Sequence, residues 1–241
     1  MKVSLLWYAP TRPEPDFYIA LVMRRTRSGD SSEEIADSLQ SKGVYCIQCK
    51  RKLMNDIHDA DKGNPSNHKT TPLWVVNLVR GAKKWGHFDV LEHVIYSFEI
   101  KDVSRVLSHQ LVRHRMASYS QISARIVATR GFSLPDLSYI YDRKRRDQIM
   151  QDMTQALSAQ WDLYDHLREK GVRPEDARYI VGEGQTTSLI MTLNARSLAH
   201  IIRTRLNPEA QWEIRELAST LLELVKPTAP IIWEEPLPEG I

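Results

Sequence analysis

The chain has 241 residues, enough to bury one large core or two small, closely packed ones. With 42% hydrophobic and 26% charged residues it has an ordinary globular balance, and 33 Lys and Arg against 30 Asp and Glu leave a formal charge of only +3. That excess is too small to argue for bulk binding to nucleic acid or an anionic membrane. No apolar run approaches the roughly 20 residues of a membrane-spanning helix. The expectation is a cytoplasmic protein with no membrane or nucleic-acid partner, in which any anion site is local.

Residues 2–8 alternate weakly and predict a first strand. The short apolar segment of MKVSLLWYAP ends at Pro10 without a small-residue cleavage site, so it does not read as a signal peptide. Residues 31–42 open with Ser and two acids, which predicts a capped helix. Cys46 and Cys49 are the only cysteines. His58 and His68 follow at spacings unlike a Cys2His2 zinc site, so the pair reads as incidental and no metal is expected. Residues 55–72 are polar, with Gly63, Pro65 and Pro72, and predict a long loop.

A helical apolar face then runs through LWVVNLVRGAKKW and stops at Gly86. Residues 94–103 alternate, with β-branched and aromatic side chains, and predict a strand, after which Ser104 caps a helix. Residues 147–170 give a long amphipathic helix closed by Gly171, and Pro174 sits in the first turn of another. Residues 188–195 predict a strand, and RSLAHIIRTRL and AQWEIRELASTLLELVK predict two helices. Four prolines after Lys226 predict an extended tail over 226–241. The fold class is α+β: a helix-rich single domain over residues 1–225 with a small, mostly antiparallel sheet.

One stretch departs from a bland amphipathic pattern. Residues 110–125, QLVRHRMASYSQISAR, hold three serines, two glutamines and a run of bases, with no Asp or Glu. On a helix Gln110, Arg113 and His114 share a face. The small and hydroxylated residues beyond Arg115 break the period and predict departure from the helix. Guanidiniums beside hydroxyls and free backbone N–H groups suit a phosphate or polar heterocycle. A solvated Arg-rich helix and a basic RNA-binding helix remain open readings of the same residues.

The stretch RHRMASYSQIS resembles the signature of the flavin-dependent thymidylate synthases: Arg-His-Arg, seven residues, then Ser. GHFDVLEHVIYSFEI and VSRVLSHQLVRHR are similar to the blocks around it, and NARSLAHIIRTRL with AQWEIRELA to the C-terminal block. The resemblance covers about residues 86–131 and 172–218, in order. It implies a homotetramer with sites shared between subunits and one FAD per site. The implied reaction passes a methylene from methylenetetrahydrofolate to C5 of dUMP, with NADPH re-reducing the flavin.

By motif position, the implied FAD contacts are His87, Asp89, Arg113, His114, Arg115, Gln121, Asn194, Arg196 and His200. The implied nucleotide contacts are Gln110, Arg113, Gln121, Ser123, Arg125, Arg178 and Arg205. Arg205 has the catalytic role, against the uracil ring. Blander readings stand beside these. Arg178 reads equally as a surface arginine, His93 as a packed core histidine, Arg196 as a helix-start residue, and Trp212 and Glu213 as structural.

The chain departs from the family pattern in several places. Ser120-Gln121 stands where Asn-Glu is frequent, Ile126 where Tyr is usual, and VGEG at 181–184 where a Leu-Pro-type segment is usual, bringing in Gly182. Glu209 stands where a base is more frequent, four residues from Arg205 and able to pair with it if the helix continues past Pro208. Residues 44–72 read as an insertion. The departures bear on the nucleotide and keep two alternatives: the same chemistry on another pyrimidine nucleotide such as UMP, and a non-catalytic flavin- or nucleotide-binding relative.

Overall fold

A computed structural model describes residues 1–11, 15–28, 34–35, 73–126, 130–234 and 237. The expectations for Cys46, Cys49, the 44–72 insertion and the 55–72 loop lie outside these residues. Of the helix expected over 31–42, only Glu34 and Ile35 are described, and both are helical.

The elements in chain order are β1 (Lys2–Ala9), α1 (Pro15–Ser28), α2 (Leu73–Trp85), a 3-10 helix (Phe88–His93) and β2 (Ile95–Ser104). They continue with α3 (Arg105–Leu111), β3 (Ala117–Gln121), α4 (Arg143–Glu169), the one-turn α5 (Pro174–Ala177) and a 3-10 turn (Arg178–Ile180). The chain then forms β4 (Thr186–Asn194), α6 (Ala195–Arg205) and α7 (Trp212–Val225). The strands form one antiparallel sheet in the order β1-β2-β4-β3. This is the helix-rich α+β class expected from the pattern.

The residues cluster into two compact units, each drawn from three stretches of chain. The first comprises Met1–Ser4, Phe98–Thr192 and Arg205–Ala218. The second comprises Leu5–Ser97, Leu193–Thr204 and Ser219–Ile241.

In the first unit, Ser104 caps α3 as expected, its hydroxyl accepting from Leu107 N at 3.0 Å. Ser104 also donates to Glu213, through its backbone N–H at 2.8 Å and through its hydroxyl. Ser133 adds a third donor to this buried carboxylate at 3.3 Å. A buried charge with that many donors is a structural tie between the starts of α3 and α7. Glu213 therefore has the structural role considered for it. Helix α4 starts at Arg143, earlier than its apolar period indicates, because Asp142 caps it by accepting from Arg145 N at 3.1 Å. Gly171, at φ +86°, closes it where a Cβ would be strained. Trp161 and Tyr164 of α4 pack with Ala177, Phe132, Leu167 and Ile180 in a small apolar cluster.

In the second unit, α1 buries Phe17, Ile19, Ala20, Leu21 and Met23. Gly86, at φ +74°, ends α2 at the predicted place. The extended-tail expectation needs correction here. Residues 226–233 fold in turns, and Ile231, Ile232 and Trp233 are buried. Proline content argues for extension, but burying three large apolar side chains outweighs it at roughly 1.5–3 kcal/mol each. The Asp16 carboxylate accepts from the backbone N–H groups of Ile231 and Ile232, both at 3.0 Å. Trp233 Nε1 donates to Tyr96 Oη at 3.1 Å, and that hydroxyl shares a 2.8 Å hydrogen bond with Thr228. Burial pushes Tyr96 up to about 12, so its hydroxyl keeps its proton.

Candidate active site

Three of the expected site residues of the first unit, Gln110, His114 and Arg205, meet at the end of α3. The helix stops at Leu111, with Val112 as its C-cap, so Arg113 and His114 lie in the following turn. The shared helical face expected for Gln110, Arg113 and His114 is therefore not formed. The reason is tertiary: Tyr119 Oη lies 2.9 Å from Leu111 O and 3.0 Å from His114 O, taking up carbonyls that a longer helix would use. Desolvation by burial raises Tyr119 to about 12, so it remains a donor. Beyond Arg115 the chain does leave the helix, as expected, and forms the strand β3.

Arg205, the last residue of α6, is half-buried. Its Nε donates to His114 Nε2 at 2.9 Å and its Nη2 to the Gln110 carbonyl at 3.3 Å. The pairing of Arg205 with Glu209 does not form. Helix α6 ends at Arg205, and Glu209 sits in a turn with its N–H on Asn207 Oδ1 at 3.0 Å. Without a continuous helix the four-residue spacing brings no side chains together.

Gln121 is half-buried at the end of β3, and its amide nitrogen donates to Ser108 Oγ at 3.2 Å and Thr187 Oγ1 at 3.0 Å. Those bonds orient its carbonyl oxygen as the open acceptor. Ser123 is exposed and its hydroxyl accepts from Arg125 N at 3.3 Å. Arg125 Nε stands 3.7 Å from the Glu175 carboxylate, and Arg178 Nε donates to the Glu175 carbonyl at 3.3 Å. Two of the expected nucleotide-binding arginines thus meet the same acidic residue. Arg113 and Arg115 are exposed in the turn and form no ion pair among the described residues.

The second unit carries the other expected FAD residues. His87 is exposed, edge-on to Trp85 at 6.5 Å, and Asp89 is exposed in the 3-10 helix that follows. His93 is exposed at the end of that helix, so it is not the core histidine considered for it. Asn194 Oδ1 accepts from Ser197 N at 2.8 Å, so Asn194 rather than Arg196 fixes the start of α6. Arg196 Nη1 donates to Glu92 at 2.6 Å, while its Nε is buried without a hydrogen-bond partner among the described residues. An orphaned buried donor is costly unless a further group meets it. Arg196 and the half-buried His200, four residues apart, share one face of α6.

The family model described as thymidylate synthase complementing protein, Thy1, matches residues 13–231. The chain belongs to this family. Among its relatives is a protein of Geobacter sulfurreducens named flavin-dependent thymidylate synthase, 42% identical over all of this chain and 92% of that protein. Proteins of the same name from Saccharolobus solfataricus and Sulfurisphaera tokodaii are 40% and 41% identical over 65% and 64% of this chain. Each of those two matches spans 59% of the relative's length.

Within this family frame the departures have definite places. Ile126 is 83% exposed, and Gly182 N donates to Gln160 Oε1 at 2.7 Å. The Glu183 carboxylate of the same segment lies 3.3 Å from His109 Nδ1. Sequence reasoning passed over Tyr119, Glu175 and Glu92, which hold the expected site residues. Tyr119 lies within the stretch that begins Arg-His-Arg, but its contacts with carbonyls five and eight residues back have no signature in the sequence. No helix among the described residues is long and apolar enough to cross a membrane. No three His, Cys, Asp or Glu side chains among them gather as metal ligands.

Proposed function

We propose that the chain is a flavin-dependent thymidylate synthase that converts dUMP to dTMP, with methylenetetrahydrofolate as carbon donor and NADPH as reductant. It works as a homotetramer whose sites are shared between subunits. The observation that carries the reading is Arg205, a half-buried guanidinium fixed on two acceptors inside the motif that the family match covers. Uracil C5 is a weak carbon nucleophile. A permanently charged donor aimed at the ring oxygens stabilises negative charge as it develops there.

Gln110, Gln121, Ser123, Arg125, Arg178 and Arg205 bind the nucleotide. Gln121 offers its carbonyl oxygen to a ring N–H, because its amide protons are already held by Ser108 and Thr187. Arg125 and Arg178 supply cationic donors for the phosphate. Both are exposed and tethered at Glu175.

FAD supplies the hydride that completes the methyl group. The residues fit such a group on the chemistry of their donors. Arg196 has a buried N–H without an acceptor, and Arg113 and Arg115 are exposed cations without ion-pair partners among the described residues. Arg113, His114, Arg115 and Gln121 in the first unit would hold it, as would His87, Asp89, Asn194, Arg196 and His200 in the second. The cationic donors among these suit its pyrophosphate and ring carbonyls, while the Asp89 carboxylate and the Gln121 carbonyl oxygen can only accept from an N–H or O–H of the group.

The test is a single turnover of the reduced, flavin-loaded protein with methylenetetrahydrofolate and either dUMP or UMP, read as methylated nucleotide. Product from dUMP is expected. Product from UMP alone would move the reaction to another pyrimidine nucleotide, and a protein that never retains flavin would overturn the reading.

A further inference from the structure

Arginine has no acceptor and does not lose its proton in proteins, so the direction of the 2.9 Å contact between Arg205 Nε and His114 Nε2 is fixed. The histidine nitrogen must present a lone pair. Imidazolium has none, and the neutral ring has one at Nε2 only when its proton is on Nδ1. The contact therefore requires one protonation state and one tautomer of His114.

The backbone that carries the ring is also held. His114 N donates to Leu111 O at 3.1 Å, and Tyr119 Oη donates to His114 O at 3.0 Å. The backbone of the turn is thus fixed at both its N–H and its carbonyl. On the guanidinium side, Nε and Nη2 occupy the edge that meets His114 and the Gln110 carbonyl. The opposite, end-on edge of Nη1 and Nη2 is then the pair of parallel donors left for a planar ligand.

We infer that His114 is a positioning residue for Arg205: as the neutral Nδ1–H imidazole it locks the guanidinium's side edge and aims the end-on edge at a pyrimidine nucleotide. This rests on the reading that Arg205 faces that nucleotide, and it gives His114 work distinct from any contact with flavin. A lysine at 205 fails here for two reasons, having neither a second edge nor a plane to lock. A histidine with its proton on Nε2 would turn a donor toward Arg205 and push the guanidinium off its aim.

Two measurements test the inference. In protein labelled with nitrogen-15 in its histidines, the His114 ring signals are identified by their loss in His114→Gln. The Nδ1–H tautomer is expected in the wild type, and Arg205→Met should shift the ring toward Nε2–H. A merely structural histidine would not respond to Arg205 in this way. The second measurement is affinity for dUMP and UMP, with retained flavin read by absorbance in the same samples. His114→Gln keeps an acceptor and should weaken nucleotide binding less than His114→Phe does. His114→Phe keeps the plane without the acceptor and should bind on the order of tenfold or more weakly. An Nε2–H or doubly protonated ring in the wild type at neutral pH overturns the inference, as does wild-type nucleotide affinity in a flavin-loaded His114→Phe. If the wild type binds neither nucleotide, the proposed function fails while the tautomer measurement still decides the Arg205–His114 contact.

Discussion

The two units use their polar side chains differently. In the second unit Asp16, Lys83 and Tyr96 converge on one segment, residues 228–234, and meet donors or acceptors there. Around that segment the polar chemistry is closed, although Trp74 Nε1 and Arg196 Nε elsewhere in the unit are buried without a hydrogen-bond partner among the described residues. In the first unit Arg113 and Arg115 have no ion-pair partner among the described residues, and Arg205 leaves an edge of its fork unused. Closed polar chemistry fixes a conformation, whereas open chemistry on a fixed frame is what a ligand requires.

The largest stability effect should come from the closed side. Trp233→Ala removes a fully buried ring that lies edge-on to Tyr96 at 5.7 Å and donates to its hydroxyl. A loss of about 3–5 kcal/mol in urea unfolding is expected. A loss under about 1 kcal/mol would mean that the turn segment does not contribute to the fold as described.

Next comes the open side. Arg205→Lys should retain flavin and lose on the order of 10²-fold or more in single-turnover methyl transfer. The exposed Arg203, changed to Lys, should be mild in the same assay. Reversal of that order would show that the wrong arginine has been assigned.

The pH dependence of stability sharpens the contrast further. Desolvation raises Asp16 from 3.8 to about 6, against the lowering effect of the Ile231 and Ile232 N–H groups. Because the folded value is the higher one, this stability is fully present below pH 3.8 and is lost as pH rises through about 6. Relative to Asp16→Asn, wild-type stability should fall by on the order of 2–3 kcal/mol between about pH 4 and 7. Parallel profiles for the two proteins would refute the assignment to Asp16.

The smallest effect belongs to Arg80. It makes two hydrogen bonds to Glu234, at 2.7 and 2.8 Å, but is well exposed. Solvent screens such a pair, so Arg80→Ala should leave the unfolding midpoint nearly unchanged at moderate salt. A large shift would show that the pair holds the C-terminal turns.

Local patterning carried much of the architecture. The alternation of 94–103, the Ser104 cap, the glycine stops at 86 and 171 and the periodic helices all lie close to where the sequence places them, because each depends on neighbours within a turn or a strand. The motif around Arg113 singled out one stretch by composition alone, since an acid-free cluster of bases and hydroxyls departs from a bland amphipathic pattern. What it could not convey was the end of α3 at Leu111. That boundary depends on a phenol from β3 reaching back to two carbonyls.

The same limit explains the other differences. Four prolines suggest extension to any local reading, but Trp233 finds Tyr96 across 137 positions of chain and folds the segment into turns. Spacing offered Glu209 to Arg205, whereas the fold supplied His114 from 91 positions away. Sequence by itself determined most of the helices and strands, the Ser104 cap, the glycine stops and the composition of the acid-free stretch. Which acceptor each guanidinium meets, and so which of its edges stays open, was decided only by tertiary structure, because hydrogen-bond partners are chosen by proximity in space.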